Sequence, residues 1–142
     1  MRFHESVFDV YFDDLDLFGI LHNARYLLFM ERCIGEFWKK LGWAGFDGKE
    51  NPDQFHLVRE NQVEYLSPFE GVGELRVRLT VTHLGRTSLV FGFQVMPMDE
   101  DRVLARGRRV VVCVDPQSRG KRPWSQTFLD KVSPFLPPAD GA

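Results

Sequence analysis

Three carboxylates, a glycine and an asparagine lie close together in the segment FDDLDLFGILHNARY, residues 12–26. Asp16 has apolar neighbours on both sides, and a carboxylate in a partly apolar pocket can act as a general base toward water or attack a carbonyl itself. Asn23 stands where a helix is predicted to begin, and the first turn of a helix offers unpaired N–H groups that stabilise an oxyanion. This segment therefore predicts a site that binds and polarises a carbonyl group.

The elements on either side of the segment are predicted from hydrophobic periodicity. Apolar and polar residues alternate between Phe3 and Phe12, which predicts a strand with one buried face. From Asn23 to Leu41 the apolar residues recur at helical spacing, which predicts a helix buried over about half of its circumference. Gly42 is expected to end this helix.

The rest of the chain is predicted to be mainly strands. They cover about residues 55–66, 75–82, 87–96 and 103–114, after a surface loop at Gly45–Asp53, and a short helix follows near residues 125–132. The order is typical of an α+β fold with an antiparallel sheet against one long helix. With 142 residues, 44% of them hydrophobic, we expect residues 1–142 to form a single domain whose tail is loose from about residue 134.

Composition argues against several classes of partner. The formal net charge is −2, so no overall field favours nucleic acid or an anionic membrane surface.

Cys33 and Cys113 lie in apolar segments and are expected to be buried thiols in a reducing compartment. No stretch resembles a signal peptide or a membrane span, so a cytoplasmic protein is expected. The spacing of His22 and the aspartates matches no metal-ligand pattern, and no metal site is predicted.

The segment around Asp16 resembles the hot-dog acyl-CoA thioesterases of the 4-hydroxybenzoyl-CoA thioesterase type. The matching residues are Asp16, Gly19, His22-Asn23, Tyr26 and Glu31, and a looser similarity extends to Pro123. The resemblance implies a hot-dog fold, in which an antiparallel sheet wraps around one long central helix. It also implies hydrolysis of an acyl-CoA thioester to a free acid and CoA, with no cofactor beyond the CoA of the substrate.

Carried over by position, the resemblance implies that Asp16 is the catalytic carboxylate and that the backbone N–H of Asn23 polarises the thioester carbonyl. Gly19 would allow a tight turn below the substrate. The resemblance also implies that His22, Tyr26 and Glu31 bind the substrate. Arg86 is proposed to bind the CoA phosphates. Such relatives form their pocket between two subunits, so a homodimer or homotetramer is expected.

Plainer interpretations stay open at this point. The three aspartates could form a solvated acidic turn, Asn23 could be a side-chain N-cap, and Glu31 could be a paired structural carboxylate. A non-catalytic domain that binds acyl-CoA or an acyl carrier is the alternative function, whereas a hot-dog dehydratase would need a different His and Asp arrangement. The acyl group, the carrier and the base or nucleophile role of Asp16 stay open.

Overall fold

The computed structural model describes residues 2–43, 53 and 55–138. Five antiparallel strands form one sheet in the order β1-β3-β4-β5-β2. The strands are β1 (His4–Val10), β2 (His56–Tyr65), β3 (Gly73–Leu84), β4 (Ser88–Pro97) and β5 (Ala105–Cys113). The helices are α1 (Arg25–Lys40) and α2 (Gln126–Val132). The predicted α+β architecture is confirmed, and the predicted loop at Gly45–Asp53 lies outside the described residues except for Asp53.

Helix α1 packs on the sheet through the stripe that the periodicity predicted. Its buried side chains are Tyr26, Phe29, Met30, Cys33, Ile34 and Phe37. They meet the alternating inner residues of β3, which are Leu75, Val77, Leu79 and Val81. The helix ends at Lys40 with Leu41 as its C-cap, and Gly42 follows with φ +96°, a left-handed conformation that favours glycine. Among the described residues, no helix is long and apolar enough to span a membrane.

The start of α1 differs from the prediction. The N-cap residue is Ala24, and Asn23 is not the side-chain cap that we considered. Instead, the Nδ1 atom of His22 accepts a hydrogen bond from the Ala24 N–H at 3.1 Å. This bond holds the turn before the helix, and no side chain among the described residues caps the first N–H groups of α1.

The residues that follow α2 pack against the core. A 3-10 turn at Ser133–Phe135 follows α2, and the Phe135 ring is 2% exposed, with its centroid 4.9 Å from that of Phe37. The local pattern does not show this contact, because the prolines suggest fraying and Phe37 lies about 100 residues earlier in the chain. The loose tail expected from about residue 134 stays a prediction, and its last four residues lie outside the described residues.

Both cysteines are fully buried, as predicted. Burial raises the pKa of the Cys33 thiol to about 12 and also raises the pKa of Cys113. A thiol that stays protonated is a poor nucleophile, so neither cysteine has the properties of a catalytic one.

Stability should depend on pH through His4, which is buried on β1 and hydrogen-bonded to Ser6 Oγ at 2.8 Å. Burial, and secondarily the charge of Lys40, lowers the pKa of His4, while Glu36 and Glu5 partly offset this effect. The unfolded chain then binds the proton more readily than the folded one. The contribution of His4 to the free energy of unfolding should therefore be fully present above about pH 6.5, and it should be lost as the pH falls below that value toward the lowered pKa of the folded state.

Urea unfolding between pH 5 and pH 8 measures this effect. His4→Gln should flatten the dependence, and His83→Gln, at an exposed position on β3, should keep it. If the free energy of unfolding of His4→Gln depends on pH as that of wild type does, the dependence comes from other groups.

Candidate active site

Residues 14–22 form a small hairpin that carries Asp16. The His22 N–H donates to the Asp14 carbonyl oxygen at 2.9 Å, and the Asp16 N–H donates to the Ile20 carbonyl oxygen at 2.9 Å. Gly19 closes the turn with φ +72°, and its N–H donates to the Asp16 carbonyl oxygen at 3.0 Å. The left-handed conformation explains why a glycine is favoured here.

The Asp16 carboxylate uses one oxygen to hold this turn. Its Oδ1 accepts hydrogen bonds from the N–H groups of Phe18 at 2.8 Å and Ile20 at 3.4 Å. Oδ2 makes no hydrogen bond or ion pair within the described part of the chain. Asp16 is thus positioned by its own loop and still presents one oxygen to a substrate or a water.

The apolar pocket expected around Asp16 is not formed by one chain. Leu17 and Phe18 are 104% and 88% exposed, and Phe12 is 85% exposed, so these side chains point away from the core. Only Leu15 of the expected neighbours packs against the core. A single chain therefore supplies the carboxylate but leaves its surroundings open.

The backbone of Asn23 is held from both sides at the start of α1. The His22 carbonyl oxygen accepts from the Arg25 N–H at 2.9 Å, and the Asn23 carbonyl oxygen accepts from the Tyr65 hydroxyl at 2.9 Å. The Asn23 N–H itself donates to no acceptor among the residues that the structure describes. It is an exposed, fixed donor at the positive end of a helix, where an oxyanion is favoured.

Asp14, which the sequence left in an acidic turn, joins the hairpin to the helix. Its carboxylate is buried, accepts from the Tyr11 N–H at 2.8 Å and lies 3.4 Å from Nε of Arg25. The Arg25 guanidinium also donates to the Asp13 carbonyl oxygen at 3.1 Å. The solvated-turn interpretation therefore suits Asp13 but not Asp14. The sequence pattern did not identify Asp14, because the burial of its carboxylate depends on the contact with Arg25 on α1.

A cavity of about 300 Å³ opens beside the helix start. Its lining residues are Asp13, Leu15, His22, Ala24, Arg25 and Leu28. His22 is exposed, and because its Nδ1 accepts from Ala24, the neutral ring carries its proton on Nε2. His22 is thus beside Asp16 and Asn23 in the fold, as its predicted binding role requires.

Tyr26 and Glu31 are engaged by protein groups. Tyr26 is buried, which raises its pKa, and its ring packs edge-on against that of Tyr65 at 5.1 Å. The Glu31 carboxylate pairs with Arg109, a buried cation whose Nε also donates to Asn61 at 2.8 Å. Glu31 is therefore paired within the protein, and a substrate-binding role for Tyr26 or Glu31 stays a prediction.

Arg86 lies far from Asp16 within one chain. The Gly71 N–H donates to the Gly19 carbonyl oxygen at 2.9 Å, so the start of β3 adjoins the site. Arg86 follows the other end of β3, and the 13 positions from Gly73 correspond to roughly 40 Å of strand. The structure does not bring Arg86 together with the other predicted residues.

Glu31→Gln is expected to lower the free energy of unfolding by about 1 kcal/mol, since it weakens a charge pair to a buried arginine and Glu31 itself is well exposed. Urea unfolding measures this, with Glu36→Gln, which breaks only a surface pair to Lys39, as the control. A raised KM without loss of stability would instead assign Glu31 to substrate binding.

The sequence and the fold are similar to those of known thioesterases. The sequence model of the thioesterase-like superfamily matches residues 10–135. The chain belongs to the thioesterase-like superfamily, and the prediction of a thioesterase is confirmed. Its relatives include the acyl-CoA thioester hydrolase YbgC of Escherichia coli, 31% identical over 107 residues, which cover 75% of this chain and 78% of that protein.

Solved structures confirm the hot-dog fold expected from the sequence. One is Slr0204, a 1,4-dihydroxy-2-naphthoyl-CoA thioesterase from Synechocystis, with a TM-score of 0.80, 16% identity and coverage of 93% of this chain and 96% of that one. Another is the Staphylococcus aureus protein SAV2348 in complex with CoA, with a TM-score of 0.84, 12% identity and coverage of 99% and 90%. At these identities the likeness concerns the fold alone.

Proposed function

We propose that this protein hydrolyses acyl-CoA thioesters, with Asp16 as the catalytic carboxylate and the Asn23 N–H as the oxyanion donor. The observation that carries the proposal is that Asp16 Oδ2 and the Asn23 N–H both make no hydrogen bond within the described residues. They lie on two neighbouring segments, the hairpin and the start of α1, which the ion pair between Asp14 and Arg25 holds together. The similarity to an acyl-CoA thioester hydrolase supports the choice of substrate class.

Two routes fit these groups. In the first, Asp16 takes a proton from water as the water oxygen attacks the thioester carbonyl carbon. The tetrahedral intermediate then collapses with cleavage of the C–S bond, and CoA leaves as a thiolate that takes up the proton held by Asp16. In the second, Asp16 attacks that carbon, CoA leaves as a thiolate that takes up a proton, and water hydrolyses the mixed anhydride. In both, the Asn23 N–H stabilises the oxyanion, a contribution of about 10²–10³ in rate for one such donor.

A homodimer or homotetramer would complete the pocket. β2 is an edge strand with exposed apolar side chains at Leu57 and Val58, and such an edge favours pairing with a second chain. Antiparallel pairing of two β2 edges would bring the Arg86 end of one chain toward the Asp16 end of the other, which supports Arg86 as a CoA contact across the interface. The exposed Leu17 and Phe18 would then be covered.

The two buried free thiols agree with a reducing compartment and support the cytoplasmic location that we propose. The similarity to an acyl-CoA thioester hydrolase supports CoA as the carrier, and no further cofactor enters the proposal. Acyl carrier protein is the alternative carrier to test.

The test is thiol release by the wild-type protein from aromatic, short, branched and medium-chain acyl-CoAs, and from the same acyl groups on acyl carrier protein. We expect hydrolysis of at least one CoA thioester, and the panel then names the acyl class. Binding of acyl-CoA in calorimetry without release of thiol from any member would instead favour the non-catalytic acyl-binding function.

A further inference from the structure

We infer that Tyr65 is a positioning residue for the oxyanion donor, an inference that rests on the proposed function. Tyr65 is the last residue of β2, and its hydroxyl donates to the Asn23 carbonyl oxygen at 2.9 Å. This bond joins the edge of the sheet to the start of α1 across 42 residues of sequence. No motif predicted it.

The bond completes the set of contacts that fix Asn23. The peptide group before Asn23 is held through the His22 carbonyl, which accepts from the Arg25 N–H. The peptide group after Asn23 is held at its N–H by His22 Nδ1 and at its oxygen by Tyr65. Because peptide groups are planar, holding both groups restricts rotation about the two backbone dihedrals of Asn23, so the group that carries its N–H keeps one orientation relative to the start of α1. Without the Tyr65 hydroxyl, the peptide group between Asn23 and Ala24 would be held only by the bond from its N–H to the exposed His22.

Tyr65 is itself well anchored. Its ring packs edge-on against the buried Tyr26, at 5.1 Å between centroids and 79° between planes. The next two residues, Leu66 and Ser67, both donate their N–H groups to the Leu104 carbonyl oxygen at 2.9 Å. The ring position therefore depends on packing and on the sheet, so Tyr65→Phe removes the hydroxyl and leaves the ring in place.

A purely structural role predicts a different outcome from a positioning role. Tyr65 is 49% exposed, and a water molecule can replace a hydroxyl at an exposed carbonyl with little loss of stability. A bound water does not hold the carbonyl in one direction as a ring anchored in the sheet does. Loss of the hydroxyl should therefore affect the rate of the chemical step more than the stability.

The experiment compares wild type, Tyr65→Phe and Tyr11→Phe on the best thioester of the panel. Tyr65→Phe should lower kcat by about 2- to 12-fold, the rate equivalent of one neutral hydrogen bond, and change KM by less than about twofold. Tyr11→Phe removes an exposed hydroxyl that bonds weakly to Asp9 and should match wild type. In NMR spectra, the ¹³C′ resonance of Asn23 should move in Tyr65→Phe and not in Tyr11→Phe.

Each outcome is decisive. If wild type and Tyr65→Phe hydrolyse equally fast, Tyr65 does not position the donor, although the proposed function stands. A change confined to KM would make Tyr65 a substrate contact, and an unmoved ¹³C′ resonance would show that the bond is absent in solution; both overturn the inference. If wild type cleaves no thioester, the proposed function fails, and the positioning role fails with it.

Discussion

Asp16→Asn is expected to lower kcat for thioester hydrolysis by about 10²–10⁴-fold, the usual contribution of a positioned general base. The amide can neither accept the proton of the attacking water nor form the anhydride. Its oxygen can still accept from the N–H groups of Phe18 and Ile20, so the turn that holds residue 16 should remain. The loss should therefore be catalytic and not structural.

The control for this substitution is Asp9→Asn, which makes the same chemical change at an exposed position on β1. It should keep wild-type kcat and KM. The circular dichroism spectrum and melting temperature of both variants should match those of wild type. An Asp16→Asn variant that is folded and fully active would remove Asp16 from the mechanism.

Phe37→Ala is expected to lower the free energy of unfolding by about 3–5 kcal/mol, as for other large-to-small changes at buried aromatic residues. The Phe37 ring is fully buried on α1 and contacts the rings of Phe91, Phe135 and Trp38. Its loss would leave a cavity between the helix, the sheet and the end of the chain, which cannot all move inward together.

Urea unfolding at one fixed protein concentration measures this effect, because association would make the apparent stability depend on concentration. Met98→Ala, at an exposed position after β4, is the control and should change the free energy of unfolding by less than about 0.5 kcal/mol. A loss below about 1 kcal/mol in Phe37→Ala would contradict the packing described for the core.

The sequence predicted the elements well because their signals are local. The period of two in β3 and the helical stripe of α1 directly reflect which face of each element is buried. The tight turn at Gly19 was implied by the family resemblance, and the structure places Gly19 there in a left-handed conformation. The assignment of Asp16 and Asn23 needed the family resemblance, because an aspartate before a helix start is common and says little by itself.

The sequence did not predict contacts between distant residues. Tyr65 reaches Asn23 from another element, and Arg109 reaches Glu31 across 78 residues. The His22 side chain bonds to the Ala24 N–H, and Asn23 does not cap the helix with its side chain. Both facts depend on the exact backbone at the helix start, which local pattern does not predict. The far position of Arg86 follows from the length and direction of β3, which a pattern of local signals does not give.

The catalytic role of Asp16 is tested most directly by product analysis with mass spectrometry, after incubation of one acyl-CoA with wild type and with Asp16→Asn. Wild type should convert the thioester to equal amounts of free acid and CoA, whereas Asp16→Asn should bind the same thioester and leave it almost entirely intact. Equal conversion by the two proteins, or no conversion of any acyl-CoA by wild type, would contradict the proposed thioesterase mechanism.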